Sequence, residues 1–228
     1  RKLRAAVPDR RKICRADIRN SFSNGPIAYN THLHLQKGTY VPAPLSVIVP
    51  TLNAASELSA CLEALMEGVD AGLIAELIVS DGGSSDETCT LADAWGATVL
   101  SGPASRGGQL QRGCAAARGA WFLVLHADTI LAPGWSEVVA AHLTDARAGY
   151  FRLRFDKGGT AVAAWANVRA RLFGLPYGDQ GLLVRRTLYA RVGGYRDMPL
   201  MEDVALARAL RGHLAGELFM QRRNAIAI

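Results

Sequence analysis

"LSVIVPTLN", Leu45 to Asn53, is an almost unbroken apolar run that stops at a proline and turns polar within two residues. A strand with one wet face would alternate. A strand covered on both faces, as in a parallel sheet between helices, reads instead as a short continuous run. Working outward, "SELSACLEALM" follows as a helix, with Ser56 as its N-cap and Leu58, Cys61, Leu62 and Leu65 on one face. The cycle repeats. "AELIVS" is a second strand, "DETCTLADAWG" a helix capped by Ser85 or Asp86 and closed by Gly96, and "ATVL" a third strand. "SRGGQLQRGCAAARG" is a helix between Ser105 as N-cap and Gly119 as C′ residue, "AWFLVL" a fourth strand and "APGWSEVVAAHL" another helix. This alternation predicts an α/β fold: βαβ units around a mostly parallel central sheet, with helices on both faces. Beyond residue 150, "GYFRLRF" reads as a strand with one wet face, "AVAAWANVRARLFG" as a helix, "GLLVRR" as extended and "MEDVALARALRG" as an amphipathic helix.

The net charge of +6 is unevenly placed. Residues 1–44 carry nine Lys/Arg against two Asp/Glu, while the rest holds 17 against 18. Basic character thus belongs to a leader, expected to be poorly ordered, and ends in a hinge at Pro42 and Pro44. No nucleic-acid-binding signature accompanies it, so no nucleic-acid partner is expected. No apolar run reaches the ~18 residues of a membrane span, and no signal-peptide pattern opens the chain, so a cytoplasmic location is expected. Cys14, Cys61, Cys89 and Cys114 are scattered and read as reduced thiols.

In an open parallel sheet, ligands bind beyond the carboxyl ends of the strands. The residues there are Pro50–Asn53, Ser80–Ser85, Ser101–Arg106 and His126–Thr129, and every set is polar, small or charged. No G-x-G-x-x-G follows the first strand, and "GPASRGG" has Gly108 where a P-loop needs lysine. In "VSDGGSSDET" a turn and a cap account for Gly82, Gly83 and Asp86 but not for Asp81. In "LHADT", Asp128 is either a turn-capping residue or a carboxylate ligand for Mg²⁺ or Mn²⁺, ions commonly held by one or two carboxylates with substrate phosphates. Glu202 and Asp203 open a helix, where the dipole welcomes acids. On a helix they project about 100° apart, so one can orient a group while the other acts as a base.

Taken in order, "SVIVPTLN…E", "IVSDGGSSD", "LHADT", "GDQGLLVRR" and "MEDVALARAL" resemble the family 2 inverting glycosyltransferases of the GT-A fold. Within these, the match is closest to the group associated with radical-SAM and selenocysteine-domain proteins. The resemblance covers roughly Leu45 to Gly212. It implies a nucleotide-binding half over 45–130 and an acceptor and catalytic half over 131–228, shortened where the chain reads "GELFMQRRNAIAI". It implies a nucleotide-diphosphate sugar donor, UDP-sugar foremost, lying along Pro50, Thr51, Asn53 and Glu57. Asp81 would meet the base, with Gly83 and Ser84 shaping that pocket, and Arg106, Gly107 and Gln109 would receive the diphosphate. Asp128 matches the last carboxylate of the family's Asp-X-Asp metal motif, with His126 where many members carry the first. Asp179 and Gln180 match the acceptor-side loop, and Asp203 matches the general base, with Glu202 beside it.

The function implied is metal-assisted, inverting transfer of a sugar to an acceptor hydroxyl, by a chain that also meets the membrane's inner face peripherally. Two other readings are a nucleotide-sugar binder without activity and a sugar nucleotidyltransferase. The latter usually has a Gly-rich, Arg/Lys-containing loop after the first strand, and "PTLNAAS" lacks both features.

Overall fold

The computed structural model describes residues 43–213, except 146, 155–159, 174, 177 and 199, together with 226–227. The expected leader lies outside these residues apart from Ala43 and Pro44, as does most of the segment after residue 213.

Strands β1 (Leu45–Thr51), β2 (Ile74–Asp81), β3 (Thr98–Ser101) and β4 (Trp121–Val124) alternate with helices α1 (Ala55–Asp70), α2 (Thr88–Ala94) and α3 (Arg106–Ala116). Helix α4 (Trp135–His142), strand β5 (Arg152–Leu153) and helix α5 (Thr160–Phe173) come next. The chain continues through β6 (Leu182–Arg185), α6 (Arg186–Arg191), α7 (Glu202–His213) and β7 (Ile226–Ala227). The main sheet runs β3-β2-β1-β4-β6. All its pairings are parallel except that of β4 with β6. "GYFRLRF" forms only the two-residue β5, paired with β7, plus a bridge from Gly149 to Leu183.

Side chains alternate between two cores, as the period of two demands. Val47, Val49, Leu77, Val79, Leu123 and Leu183 join Leu58, Leu62 and Trp135 from α1 and α4 on one face. Ile48, Ile78, Phe122, Val124 and Val184 meet Leu110, Leu188, Leu206 and Leu210 from α3, α6 and α7 on the other. This two-sided burial is why the first strand reads as a continuous run.

Capping departs from expectation at three places. Helix α2 begins at Thr88 with Glu87, which makes no side-chain cap, in the cap position, so neither Ser85 nor Asp86 is its N-cap. Helix α1 begins at Ala55, and Ser56 makes no cap. The amides of Ala54 and Ala55 are instead received by Thr88 Oγ1 at 2.8 Å and Asp86 Oδ2 at 3.1 Å, from the loop after β2. Helix α3 ends at Ala116 rather than at Gly119, because Ala117 is already extended. Gly119 meets the backbone and hydroxyl of Ser46, too close for a Cβ. Ser105 does cap α3, accepting from Gly108 N, and Gly96 closes α2 with φ of 77°. Asp86 Oδ1 receives the Thr88 amide at 3.0 Å.

Candidate active site

Strand order reverses between β1 and β4: β1 connects outward to β2, while β4 arrives from the far edge. Loops diverge at such a point and leave a crevice above the strand ends. A cleft of about 440 Å³ lies there. Pro50, Thr51, Leu52, Asn53, Ala54 and Glu57 form one wall, Ala104, Ser105, Arg106 and Gln109 another, and His126, Ala127 and Asp128 the third.

Asp81 stands at the cleft's foundation rather than on its surface, only 1% exposed. One oxygen accepts from Thr51 Oγ1 at 2.9 Å and from Ser84 Oγ. The other accepts the Gly83 and Ser84 amides, each at 2.8 Å. Burial alone would raise its carboxyl, but these bonds together hold it below the usual range. A carboxylate offers about four lone-pair positions, and all four are taken, so a base edge meeting Asp81 must displace a partner. Asn53, in the left-handed region with φ of 50°, ties the same loop: its side-chain Oδ1 accepts from Ser85 N and its backbone amide donates to Ser84 Oγ, both at 2.8 Å.

Helix α3 presents Arg106 to the cleft, but its N-terminus is not an open anion site. Gly107 is buried, its amide donating to Met198 O at 3.1 Å, and a Cβ there would lie 2.1 Å from Arg196 O. The segment 196–198 therefore fills the place that the sequence leaves for a diphosphate at Gly107. Asp197 also accepts from Ser105 Oγ. The Gln109 amide is likewise committed, donating to Thr51 O at 2.7 Å and Ser80 O at 3.0 Å. It braces the ends of β1 and β2.

Asp128 is exposed in the cleft and, among the described residues, carries no hydrogen bond or ion pair. It suits a hard cation that completes its shell with phosphate and water oxygens. His126 does not complete a pair with it. Its Nδ1 lies 2.9 Å from Asp179 Oδ1, and Nε2 faces Gly178 so closely that a Cβ there would sit 2.5 Å away. Both ring nitrogens thus turn toward the loop at 178–179, although His126 lines the same cleft as Asp128. No group of three or more His, Cys, Asp or Glu that could hold a metal occurs among the described residues. The bond to His126 holds the Asp179 carboxyl below the usual range, although burial opposes it.

Beyond His126 lies a second, largely apolar cavity of about 20 Å³, bordered by Leu110, Val124, Gly178, Tyr195, Glu202 and Asp203. Asp203 Oδ2 accepts the Gly178 amide at 2.6 Å. The two adjacent acids do diverge: Glu202 is 2% exposed and lies 3.8 Å from Arg106 Nε. Burial pushes the Glu202 carboxyl up, and the neighbouring Asp203 adds to this. Gln180 is not on the acceptor surface. It is fully buried, and its amide donates to Phe151 O and Asn167 Oδ1. The 196–198 segment was not foreseeable from sequence, because its contact with α3 spans some ninety residues.

The model of the family described as Glycosyl transferase family 2 matches residues 46–198. A PGL/p-HBAD biosynthesis glycosyltransferase of Mycobacterium bovis (strain BCG / Pasteur 1173P2) is 35% identical over 97 residues, covering 39% of this chain and 37% of that protein. The match thus spans little more than a third of the relative's length. Glucosyl-3-phosphoglycerate synthase from Mycobacterium tuberculosis, solved with Mn²⁺, UDP and glucosyl-3-phosphoglycerate, superposes with a TM-score of 0.50 at 27% identity, over 64% of this chain and 58% of that one. The mannosyltransferase PcManGT from Pyrobaculum calidifontis, solved with GDP-Man and Mn²⁺, gives a TM-score of 0.60 at 18% identity, over 83% and 57%. The fold is the GT-A fold, and with its family model matched across most of the chain, the protein belongs to glycosyl transferase family 2.

Proposed function

We propose that the protein transfers a sugar from a nucleotide-diphosphate sugar, UDP-sugar foremost, to an acceptor hydroxyl with inversion at the anomeric carbon. One observation carries this reading: an unengaged carboxylate, Asp128, in a crevice at the sheet's switch point, with a second carboxylate, Asp203, just across His126. Thr51, Asn53 and Glu57 line the wall assigned to the nucleoside. Arg106 faces the diphosphate, and Asp179 stands on the acceptor side. A divalent ion, Mn²⁺ or Mg²⁺, held by Asp128 would supply positive charge against the departing diphosphate. Asp203 takes the acceptor hydroxyl's proton as its oxygen bonds to the anomeric carbon. The bond from that carbon to the diphosphate breaks on the opposite side, and the diphosphate leaves with the electron pair.

The complexes of the synthase and the mannosyltransferase support a divalent ion and a nucleotide donor, with uridine and guanosine both represented. The motif order supports the radical-SAM-associated group, and the confinement of the larger cleft's lining to residues 50–128 supports a 45–130 donor half. Exposed Val162, Trp165 and Leu172 on α5, beside Arg171, support peripheral contact with a membrane surface. No described helix is long and apolar enough to cross a membrane.

The test is calorimetry against a panel of nucleotide sugars with and without Mn²⁺, followed by transfer assays. Asp203→Asn is expected to bind donor as the wild type does while transfer falls by about 10²–10⁴-fold, the usual contribution of a positioned base. Near-wild-type turnover in that variant would remove Asp203 from the role of base. Donor binding with no transfer to any acceptor would mark a binding protein instead.

A further inference from the structure

Two residues of the site break local rules. Arg106 is the first residue of α3, where the positive end of the helix dipole disfavours a cation. Glu202 is a carboxylate at 2% exposure beside an apolar cavity walled by Leu110, Tyr195 and Ala207. Burying a charge is costly unless a partner compensates it. The charged partner that comes within ion-pair distance of Glu202 is Arg106, with His126 a further basic neighbour; Arg106 is half-exposed and approaches through Nε, at 3.8 Å. That is too long for a hydrogen bond and too one-sided for a bidentate pair. As a stabilising ion pair it is poor.

As a way of aiming an arginine it is apt. The approach is through Nε, which leaves the Nη1/Nη2 edge out of the pair, on a side chain that lines the cleft. That edge is the one whose planar fork matches two phosphate oxygens. Of the first amides of α3, the direct route for an anion, those of Gly107 and Gly108 are taken by Met198 O and Ser105 Oγ. With the helix end thus reduced, a diphosphate in this cleft depends on a side chain.

We infer that Glu202 is a positioning residue: from behind the cleft wall it holds Arg106 by Nε so that the guanidinium fork faces the diphosphate of the donor. This rests on the transferase reading and gives Glu202 a task separate from proton transfer. The function of the "ED" pair is thus divided, with Asp203 on the acceptor and Glu202 on the leaving group.

The experiment compares binding of UDP with UMP, and of GDP with GMP, to wild type, Glu202→Gln, Arg106→Gln and the double variant. The isosteric Glu202→Gln is expected to lose about tenfold in affinity for the diphosphate, the scale of one charge-assisted contact, and nothing for the monophosphate. Arg106→Gln should show the same selective loss, and the double variant no more than Arg106→Gln alone. A merely structural Glu202 would lower both affinities together, or neither. Unchanged or tighter diphosphate binding in Glu202→Gln, or additive losses in the double variant, overturns the positioning role while leaving the transferase reading intact. If the wild type binds neither UDP nor GDP, the donor reading falls and this inference falls with it.

Discussion

Gly107 and Gly178 are each fixed by what stands where a side chain would be. At Gly107 the obstacle is backbone, Arg196 O at 2.1 Å and Met198 N at 2.7 Å, which cannot swing aside. Gly107→Ala is expected to destabilise the fold by about 1–3 kcal/mol, the usual cost of overpacking, and to loosen segment 196–198 in hydrogen exchange. At Gly178 the obstacle is the His126 ring, with Nε2 at 2.5 Å and Cε1 at 2.6 Å. Gly178→Ala should therefore leave the melting temperature nearer wild type but displace the imidazole and lower transfer; an unchanged turnover would mean that the His126–Asp179 pair has no part in catalysis. The positions of Asp81, Asp128 and Asp203 were legible in the sequence because each ends or follows a strand or opens a helix, whereas the structural task of Asp81, tying two loops together, was not. The places of Gly107, His126 and Gln180 were not, since their partners at 196–198, 178–179 and 151–167 are remote in sequence.

Individual elements of the donor wall are bound to one another rather than self-capped. The loop after β1 receives Thr88, Asp86 and Ser84 from the loop after β2, and gives back Asn53 Oδ1 and Thr51 Oγ1. Cap prediction from local sequence failed at Ser56 for this reason: the cap lies some thirty residues away. Asp81 anchors the arrangement. Asp81→Asn puts an NH₂ where two backbone amides donate, and should cost about 1–3 kcal/mol as buried donors go unpaired. Because its carboxyl is held below its ordinary range, Asp81 stabilises the fold above about pH 4, and this contribution is lost as pH falls through the depressed value. Glu202 has the opposite sign. Its carboxyl is raised from the ordinary 4.5, so folding favours the protonated form and the penalty grows as pH rises from there toward neutrality. Glu202→Gln should thus be no less stable than wild type at pH 7 in a denaturant titration; a loss of stability there would show that its pairing with Arg106 outweighs its burial.

Across the whole molecule, the sheet's architecture was readable because it depends on periodicity alone. Continuous apolar runs marked doubly covered strands, and the spacing of helices marked parallel crossovers. The edge β6 was read only as extended, since nothing in "GLLVRR" states its direction. Ligand binding at the switch point ties the loops of three strands together, so saturating diphosphate should stabilise the whole domain. At one hundred times Kd the gain is about 2.7 kcal/mol, or roughly 5–10 °C for a domain of this size. Asp128→Ala should abolish the Mn²⁺-dependent part of that shift in a thermal melt; a shift that survives in full would place the ion elsewhere.

The reversed direction of β6 has a consequence for how such a protein can change over generations. Strands β1, β2 and β4 deliver their trailing loops to the donor, whereas β6 runs the other way and offers its leading loop, Gly178–Gly181, to the same edge. On the proposed reading, donor and acceptor surfaces are thereby written in separate stretches of the gene. Replacing the approach to β6 could redirect the enzyme to a new acceptor while the nucleotide pocket is inherited unaltered.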